Sequence, residues 1–208
     1  EGALDFLDLL VRARDLVRRD GDVREHFQQR FTRIFVDEFQ DTDPIQAELL
    51  LLLAADDPRQ TVSTSVVPVP GKLFVVGDPK QSIYRFRRAD LAVYRQVCGQ
   101  LENAGAIRVE LRRSFRSLPA IQRFVNAAFA PVMDGSLARE QARYVALESV
   151  RDEPDSQPAV VALPVPKPYG PRAVSATAIE ASLPEATGAF IDWLISASGW
   201  TVTERQGE

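Results

Sequence analysis

The chain has 208 residues, 45% hydrophobic and 26% charged, enough to bury a core as one domain or two small lobes. Its longest apolar run, Leu49 to Ala55, falls far short of the roughly 20 residues needed to span a bilayer, and Glu1 is followed by an amphipathic, charge-rich stretch rather than a signal peptide. A single cysteine, Cys98, rules out an internal disulfide or a cysteine-based zinc cluster, so a cytoplasmic protein with no membrane partner is expected.

Leu4, Leu7, Leu10 and Val11 recur at helical spacing, and Asp20-Gly21 stops that helix. Phe27 and Phe31 carry the apolar face towards a strand beginning at Ile34. That strand runs into Asp37-Glu38-Phe39-Gln40-Asp41-Thr42-Asp43, so two adjacent carboxylates leave one strand end together. Such a pair suits a metal and a water: Asp37 to hold Mg²⁺ and Glu38 to orient or deprotonate the water that attacks a phosphate. Asp43 caps the next helix, Pro44 suits its first turn, and Ile45 to Ala55 form its body. A second apolar strand, Leu73 to Val76, follows a Pro- and Ser-rich loop from Asp57 to Gly71. A helix between two apolar strands is a βαβ crossover, which predicts a parallel pair.

The second strand runs into Gly77-Asp78-Pro79-Lys80-Gln81-Ser82-Ile83-Tyr84-Arg85-Phe86-Arg87-Arg88. Ligands of open α/β sheets sit at the carboxyl ends of strands, so Asp37, Glu38, Asp78 and Gln81 are expected on one edge. A helix from Asp90 to Asn103, stopped by Gly105, leads to a predicted strand from Ile107 to Leu111. Arg112-Arg113-Ser114-Phe115-Arg116-Ser117 comes next, and Ser117 and Pro119 open a helix that Pro131 closes. Beyond Asp134 the pattern fades until a predicted strand at Ala159 to Val165, a proline-rich loop at Pro166 to Pro171, and a helix from Glu180 to Ser198 with Phe190, Trp193 and Leu194 on one face. His26 is a lone histidine in a polar helix, expected at the surface or in packing.

Charge is segregated along the chain. Ten basic and three acidic residues lie between Lys80 and Arg123, a local +7, which leaves −11 for the remainder of a chain whose net charge is −4. An acidic body with one Arg-rich track suits a protein that touches a polyanion along a narrow path. For Arg95 and Arg123, solvated helix faces are the preferred reading.

The Asp37-Glu38 block, the Gly77 to Asp90 block and the Leu111 to Ser117 block, in this order, resemble motifs II, III and IV of the UvrD/Rep family of DNA helicases, and in detail its RecB/AddA-like branch. The resemblance implies an α/β fold of the RecA-like P-loop NTPase type, a mostly parallel sheet flanked by helices, here incomplete. It assigns residues 1–111 to the C-terminal part of a first motor lobe and 112–208 to the beginning of a second. It implies ATP and Mg²⁺ as cofactors of the parent protein, with single-stranded DNA or DNA ends and a nuclease domain or nuclease subunit for partners.

Roles follow from the same resemblance. Asp37 becomes the Mg²⁺ ligand and Glu38 the general base. Gln81 resembles the residue that senses the γ-phosphate, since a neutral amide both donates and accepts. Arg116 resembles the arginine finger and Phe115 a residue beside the nucleotide. Tyr84 and Phe86 resemble the aromatic pair that stacks on bases, with Arg87 behind them. Arg88 departs from the family pattern, which has glycine there. No G-x-x-x-x-G-K-[ST] occurs in the sequence, so this chain alone lacks a phosphate-cradling loop. The expected function is therefore a segment of an ATP-dependent, single-strand-translocating helicase for DNA repair or recombination. The rival is a non-catalytic nucleic-acid or partner-binding module that retains a degenerate helicase fold.

Overall fold

The computed structural model describes residues 4–84, 86, 88–136, 141–153, 157–163 and 176–201. Two compact units emerge, one of residues 1–111 with 129–145, the other of 112–128 with 146–208.

In the first unit the helix boundaries follow local chemistry. α1, Phe6–Arg19, begins on a reciprocal cap in which Asp5 accepts the Asp8 N–H and Asp8 accepts the Asp5 N–H. Asp20 ends α1 and caps α2, Gly21–Arg30, by accepting the Val23 N–H at 3.0 Å. α3, Pro44–Ala54, starts on Asp43, whose carboxylate accepts the Ile45 and Gln46 N–H groups, with Pro44 in the first turn. α3 is apolar nearly all round, as befits a helix covered on several sides. Leu51 and Leu52 are fully enclosed in a core that also takes Val17, Phe39, Ala47, Val66, Val97 and Leu101. α4, Leu91–Asn103, ends as Gly105 adopts φ +88°, where glycine has no Cβ to clash.

β1, Ile34–Val36, and β2, Leu73–Val75, pair in parallel with Phe35 opposite Phe74, and α3 forms the expected crossover. Ile34, Val36, Leu73 and Val75 are half-buried. Phe35 and Phe74 project from the other face, their rings 5.7 Å apart and exposed to solvent.

Two buried cations and a half-buried amide brace this unit. The Arg24 guanidinium donates to the carbonyls of Val17, Arg18 and Pro58, at 2.7, 3.0 and 2.6 Å, so it satisfies the C-terminal carbonyls of α1 and anchors the loop after α3. Gln28 donates to the Leu52 carbonyl at 2.8 Å, and Lys72 donates to the Gln28 carbonyl at 2.8 Å. Burial pushes the Lys72 ammonium below its ordinary pKa.

The second unit holds α5, Pro119–Phe129, for its first ten residues, and α6, Ala176–Ser196, with Pro184 inside it. Its sheet is minimal: β3, Arg113–Ser114, pairs in parallel with β4, Glu148–Ser149. Asn126 reinforces that unit by exchanging hydrogen bonds with the Leu147 backbone at 2.9 and 3.0 Å. Phe190, Trp193 and Trp200 form an aromatic cluster at the end of α6, with ring centroids 5.5–6.4 Å apart.

Two predicted strands need correction. Residues 107–111 form no strand; Ile107 is 88% and Leu111 83% exposed, and the stretch joins neither of the two sheets found among the described residues. Residues 159–163 likewise form no strand, and 164–171 lie outside the described residues. There the chain is held by a side chain instead: Gln157 exchanges hydrogen bonds of 2.8 and 2.9 Å with the Thr201 backbone. Among the described residues no helix is long and apolar enough to cross a membrane.

Candidate functional site

β1 and β2 run parallel, so both motifs leave the sheet at the same carboxyl edge. Asp37 and Glu38 follow Val36 directly and are exposed. The Asp37 carboxylate accepts the Glu38 N–H at 2.9 Å, and Glu38 has φ 51° and ψ 38°. That left-handed conformation costs a non-glycine residue roughly 1–2 kcal/mol and is concentrated at functional sites. A single 3-10 turn, Phe39–Asp41, then reverses the chain. Phe39 drops into the core, and its N–H donates to the Val76 carbonyl at 2.9 Å, tying this turn to the exit of β2.

Beyond β2, Asp78 caps a second 3-10 turn, Pro79–Gln81. Its carboxylate accepts the Lys80 N–H at 3.0 Å and the Gln81 side-chain amide at 3.0 Å, and pairs with the Lys80 ammonium at 2.9 Å. Burial by itself would raise the Asp78 carboxyl. The Lys80 ammonium, the Gln81 amide and the Lys80 N–H outweigh it and hold the group below the usual carboxylate range. Gln81 is exposed, with its Nε2 on the Asp78 carboxylate.

Gln40 joins the two turns, a role the sequence reading missed. Only 2% exposed, it donates through Nε2 to the Glu38 carboxylate at 2.7 Å, accepts the Asp78 N–H on Oε1 at 2.9 Å, and accepts the Ser82 hydroxyl on its backbone carbonyl at 3.2 Å. Gly77 permits this approach: a Cβ there would sit 2.9 Å from Gln40 Oε1 and 3.2 Å from Tyr94 Cε2. Tyr94 packs its ring 5.7 Å from that of Phe39, and burial, with the neighbouring Cys98, pushes its phenol up to about 12. The signal in the sequence was slight, an amide two residues after a paired carboxylate and a glycine at the end of the second strand.

Tyr84 and Phe86 lie beside each other, ring centroids 5.8 Å apart and tilted by 59°. Phe86 is 80% exposed, which excludes the alternative of a core aromatic. Arg87 lies outside the described residues. Arg88 adopts φ 72°, so the position where the family pattern has glycine is one whose backbone favours glycine.

Phe115 and Arg116 belong to the second unit, and both are exposed. Their turn is shaped by another residue the sequence reading missed. Gln122, buried on α5, donates to the carbonyls of Ser117 at 2.9 Å and Ser114 at 3.4 Å, while the Arg116 carbonyl accepts from Arg151 at 3.0 Å. His26 is exposed, its ring edge-on to Phe27, in keeping with a surface residue.

The Asp37 carboxylate is a fitting donor for Mg²⁺, which takes hard oxygen ligands and is commonly held by one or two carboxylates with water and substrate phosphates. Among the described residues no group of three or more acidic, histidine or cysteine side chains could hold a metal without such help.

Comparison with known proteins points to helicases. Residues 1–101 match the UvrD/REP helicase N-terminal domain. A subunit of the ATP-dependent helicase/nuclease of Pediococcus pentosaceus is 37% identical over 138 residues, 64% of this chain and 10% of that protein. The corresponding helicase/nuclease subunit from Listeria monocytogenes serotype 4b is 34% identical over 143 residues, 66% of this chain and 11% of that one. DNA helicase II of Escherichia coli K12 is 36% identical over 126 residues, 61% of this chain and 15% of that protein. The chain thus spans only 10–15% of the length of these relatives. The match over residues 1–101 takes in both parallel strands and the two turns that follow them.

Proposed function

We propose that this chain is a segment of an ATP-driven DNA helicase of the UvrD/AddA type, acting on single-stranded DNA or DNA ends in repair or recombination. Residues 1–111 would close its first RecA-like motor lobe and 112–208 begin its second. The observation that best supports this reading is the convergence of Asp37-Glu38 and Asp78-Gln81 at one sheet edge, linked through Gln40.

In this reading Asp37 holds Mg²⁺, which when bound neutralises charge on the phosphate oxygens. Glu38 orients the attacking water and accepts its proton at a carboxylate oxygen. Gln81 offers its amide to the γ-phosphate. Arg116 brings a planar cation to the transferring group, and Phe115 packs beside the nucleotide. Tyr84 and Phe86, rings already side by side, stack on bases, and Arg87 meets the backbone phosphate. The names of the relatives, which join helicase to nuclease, motivate a nuclease domain or nuclease subunit for a partner.

In the parent protein, Glu38→Gln is expected to lower ATP turnover by about 10²–10⁴-fold while leaving single-strand affinity intact. Tyr84→Ala or Phe86→Ala is expected to cost about 1–3 kcal/mol of single-strand affinity with little dependence on base sequence. The 208-residue chain alone, which has no P-loop motif, is expected to turn over ATP negligibly. Robust turnover by that chain, abolished by Glu38→Gln, would overturn the reading, as would unchanged DNA affinity in both folded aromatic variants.

A further inference from the structure

We infer that Gln40 is a positioning residue that couples the Glu38 carboxylate to the Asp78–Gln81 turn, so that displacement at either is felt at the other.

A primary amide has a donor end and an acceptor end on one rigid plane, and both ends of Gln40 are in use. Nε2 donates to Glu38 at 2.7 Å, a charge-assisted bond at the short end of the range, and Oε1 accepts the Asp78 N–H at 2.9 Å. The plane cannot rotate to improve one bond without lengthening the other. At 2% exposure Gln40 has no room to exchange either partner for water. Both partners are themselves constrained. Glu38 sits in the left-handed region, and the Asp78 N–H begins the turn whose carboxylate holds Lys80 and Gln81.

The surroundings leave the amide one seat. Gly77 lies where any Cβ would strike Oε1 at 2.9 Å and the Gln40 backbone nitrogen at 3.2 Å. Below it, Phe39 is fixed in the core and its N–H is bonded to the Val76 carbonyl. Phe39, between Glu38 and Gln40, is thereby held against a shift of Glu38 as backbone motion. The side-chain amide links the Glu38 carboxylate to the second turn, and the Ser82 hydroxyl bond to the Gln40 carbonyl runs beside it. The coupling does not depend on Glu38 acting as a base; only its consequence for hydrolysis rests on the proposed function.

Amide hydrogen exchange of the 208-residue chain, followed by NMR without nucleotide, tests the coupling apart from catalysis. Gln40→Met keeps the length of the side chain and removes both bonds. It is expected to speed exchange of the Asp78 N–H about tenfold relative to the amides of α3. Glu38→Asn keeps a residue that tolerates the left-handed backbone but withdraws the carboxylate from Nε2. It is expected to speed Asp78 exchange about threefold, although the Glu38 carboxylate reaches the Asp78 N–H only by way of Gln40. In Gln40→Met, adding Glu38→Asn is expected to change Asp78 exchange no further. An unchanged Asp78 rate in Glu38→Asn would overturn the coupling and leave Gln40 as a local prop of the turn. An unchanged rate in Gln40→Met would overturn it as well. Should Gln40→Met fail to fold, the Glu38→Asn result alone decides.

Discussion

The two compact units carry their motif turns on opposite terms. In the first, Leu51, Leu52 and Phe39 lie fully buried beneath the turn that holds Glu38. In the second, Gln122 is the one buried residue among those described, and Phe115 and Phe124 stand in solvent. Each turn is organised by a buried glutamine, and the contrast repeats at that scale. Gln40 uses both ends of its amide, whereas Gln122 donates to two carbonyls and its Oε1 is buried without a partner among the described residues. Next to Gln40, Asp41 Oδ1 is buried without a partner among the described residues, so the assignment is complete at the Gln40 amide and not over the whole turn. In the second unit the arginine and phenylalanine of the turn stay open to whatever approaches.

The largest test of this contrast compares apolar truncations. Leu52→Ala removes a fully enclosed side chain and is expected to cost about 2–5 kcal/mol, while Phe124→Ala, at an exposed position, is expected to stay within about 0.5–1 kcal/mol. Urea unfolding followed by far-UV circular dichroism measures both, and equal losses would erase the distinction. Next come the glutamines. Gln40→Leu leaves the Asp78 N–H without its acceptor and is expected to cost about 1–3 kcal/mol. Gln122→Leu loses weaker bonds but also removes a buried unpaired oxygen, so about 0–1 kcal/mol is expected. The same unfolding measurement ranks them, and a larger loss at Gln122 would reverse the comparison.

Much of the first unit was legible because its signals are local. Asp20, Asp43 and Gly105 mark helix ends through their own hydrogen bonds or their own backbone angle, and a cap needs only its neighbours in sequence. The parallel pair was legible because α3 lies between two apolar strands. The carboxylate pair and the Asp78 turn were legible for the same reason, each following its strand directly. Arg24, Lys72 and Gln122 were not. They are buried because carbonyls far away or across a turn accept them, as Pro58 does for Arg24 and Gln28 for Lys72, and nothing in the nearby residues records that partner. The alternation from Ile107 to Leu111 misled for the complementary reason. Alternation specifies which side chains share a face, but a strand also needs a neighbouring backbone, and sequence period is silent on that.

A smaller effect is expected at Arg88, where relief of the left-handed backbone competes with the greater freedom glycine gives the unfolded chain. Arg88→Gly is expected to stabilise the first unit by about 0.5–1 kcal/mol, read as a rise in the urea midpoint. A loss of stability would mean that the Arg88 side chain contributes more than its backbone costs.

The smallest effect concerns acid. Asp78 is held below the ordinary carboxylate pKa of 3.8 against the opposing pull of its burial, through the Lys80 ammonium, the Gln81 amide and the Lys80 N–H. A carboxyl depressed in the folded state binds fewer protons there than when unfolded. Its contribution is therefore complete above the unfolded value and is lost as pH falls through the lower folded one. The side chain is about a third exposed, at 32%, so solvent screens the interaction and the contribution is small. Urea midpoints measured from about pH 5 downward are expected to fall less steeply in Lys80→Met than in the native chain, because the largest of the three depressing contacts has gone. Gln81→Ala is expected to act in the same direction, since its amide is the next contact on the same carboxylate. If neither variant flattens the acid limb, the turn is held by its backbone bonds alone, and the side-chain bracing that Gln40 gives the first unit does not extend to Asp78.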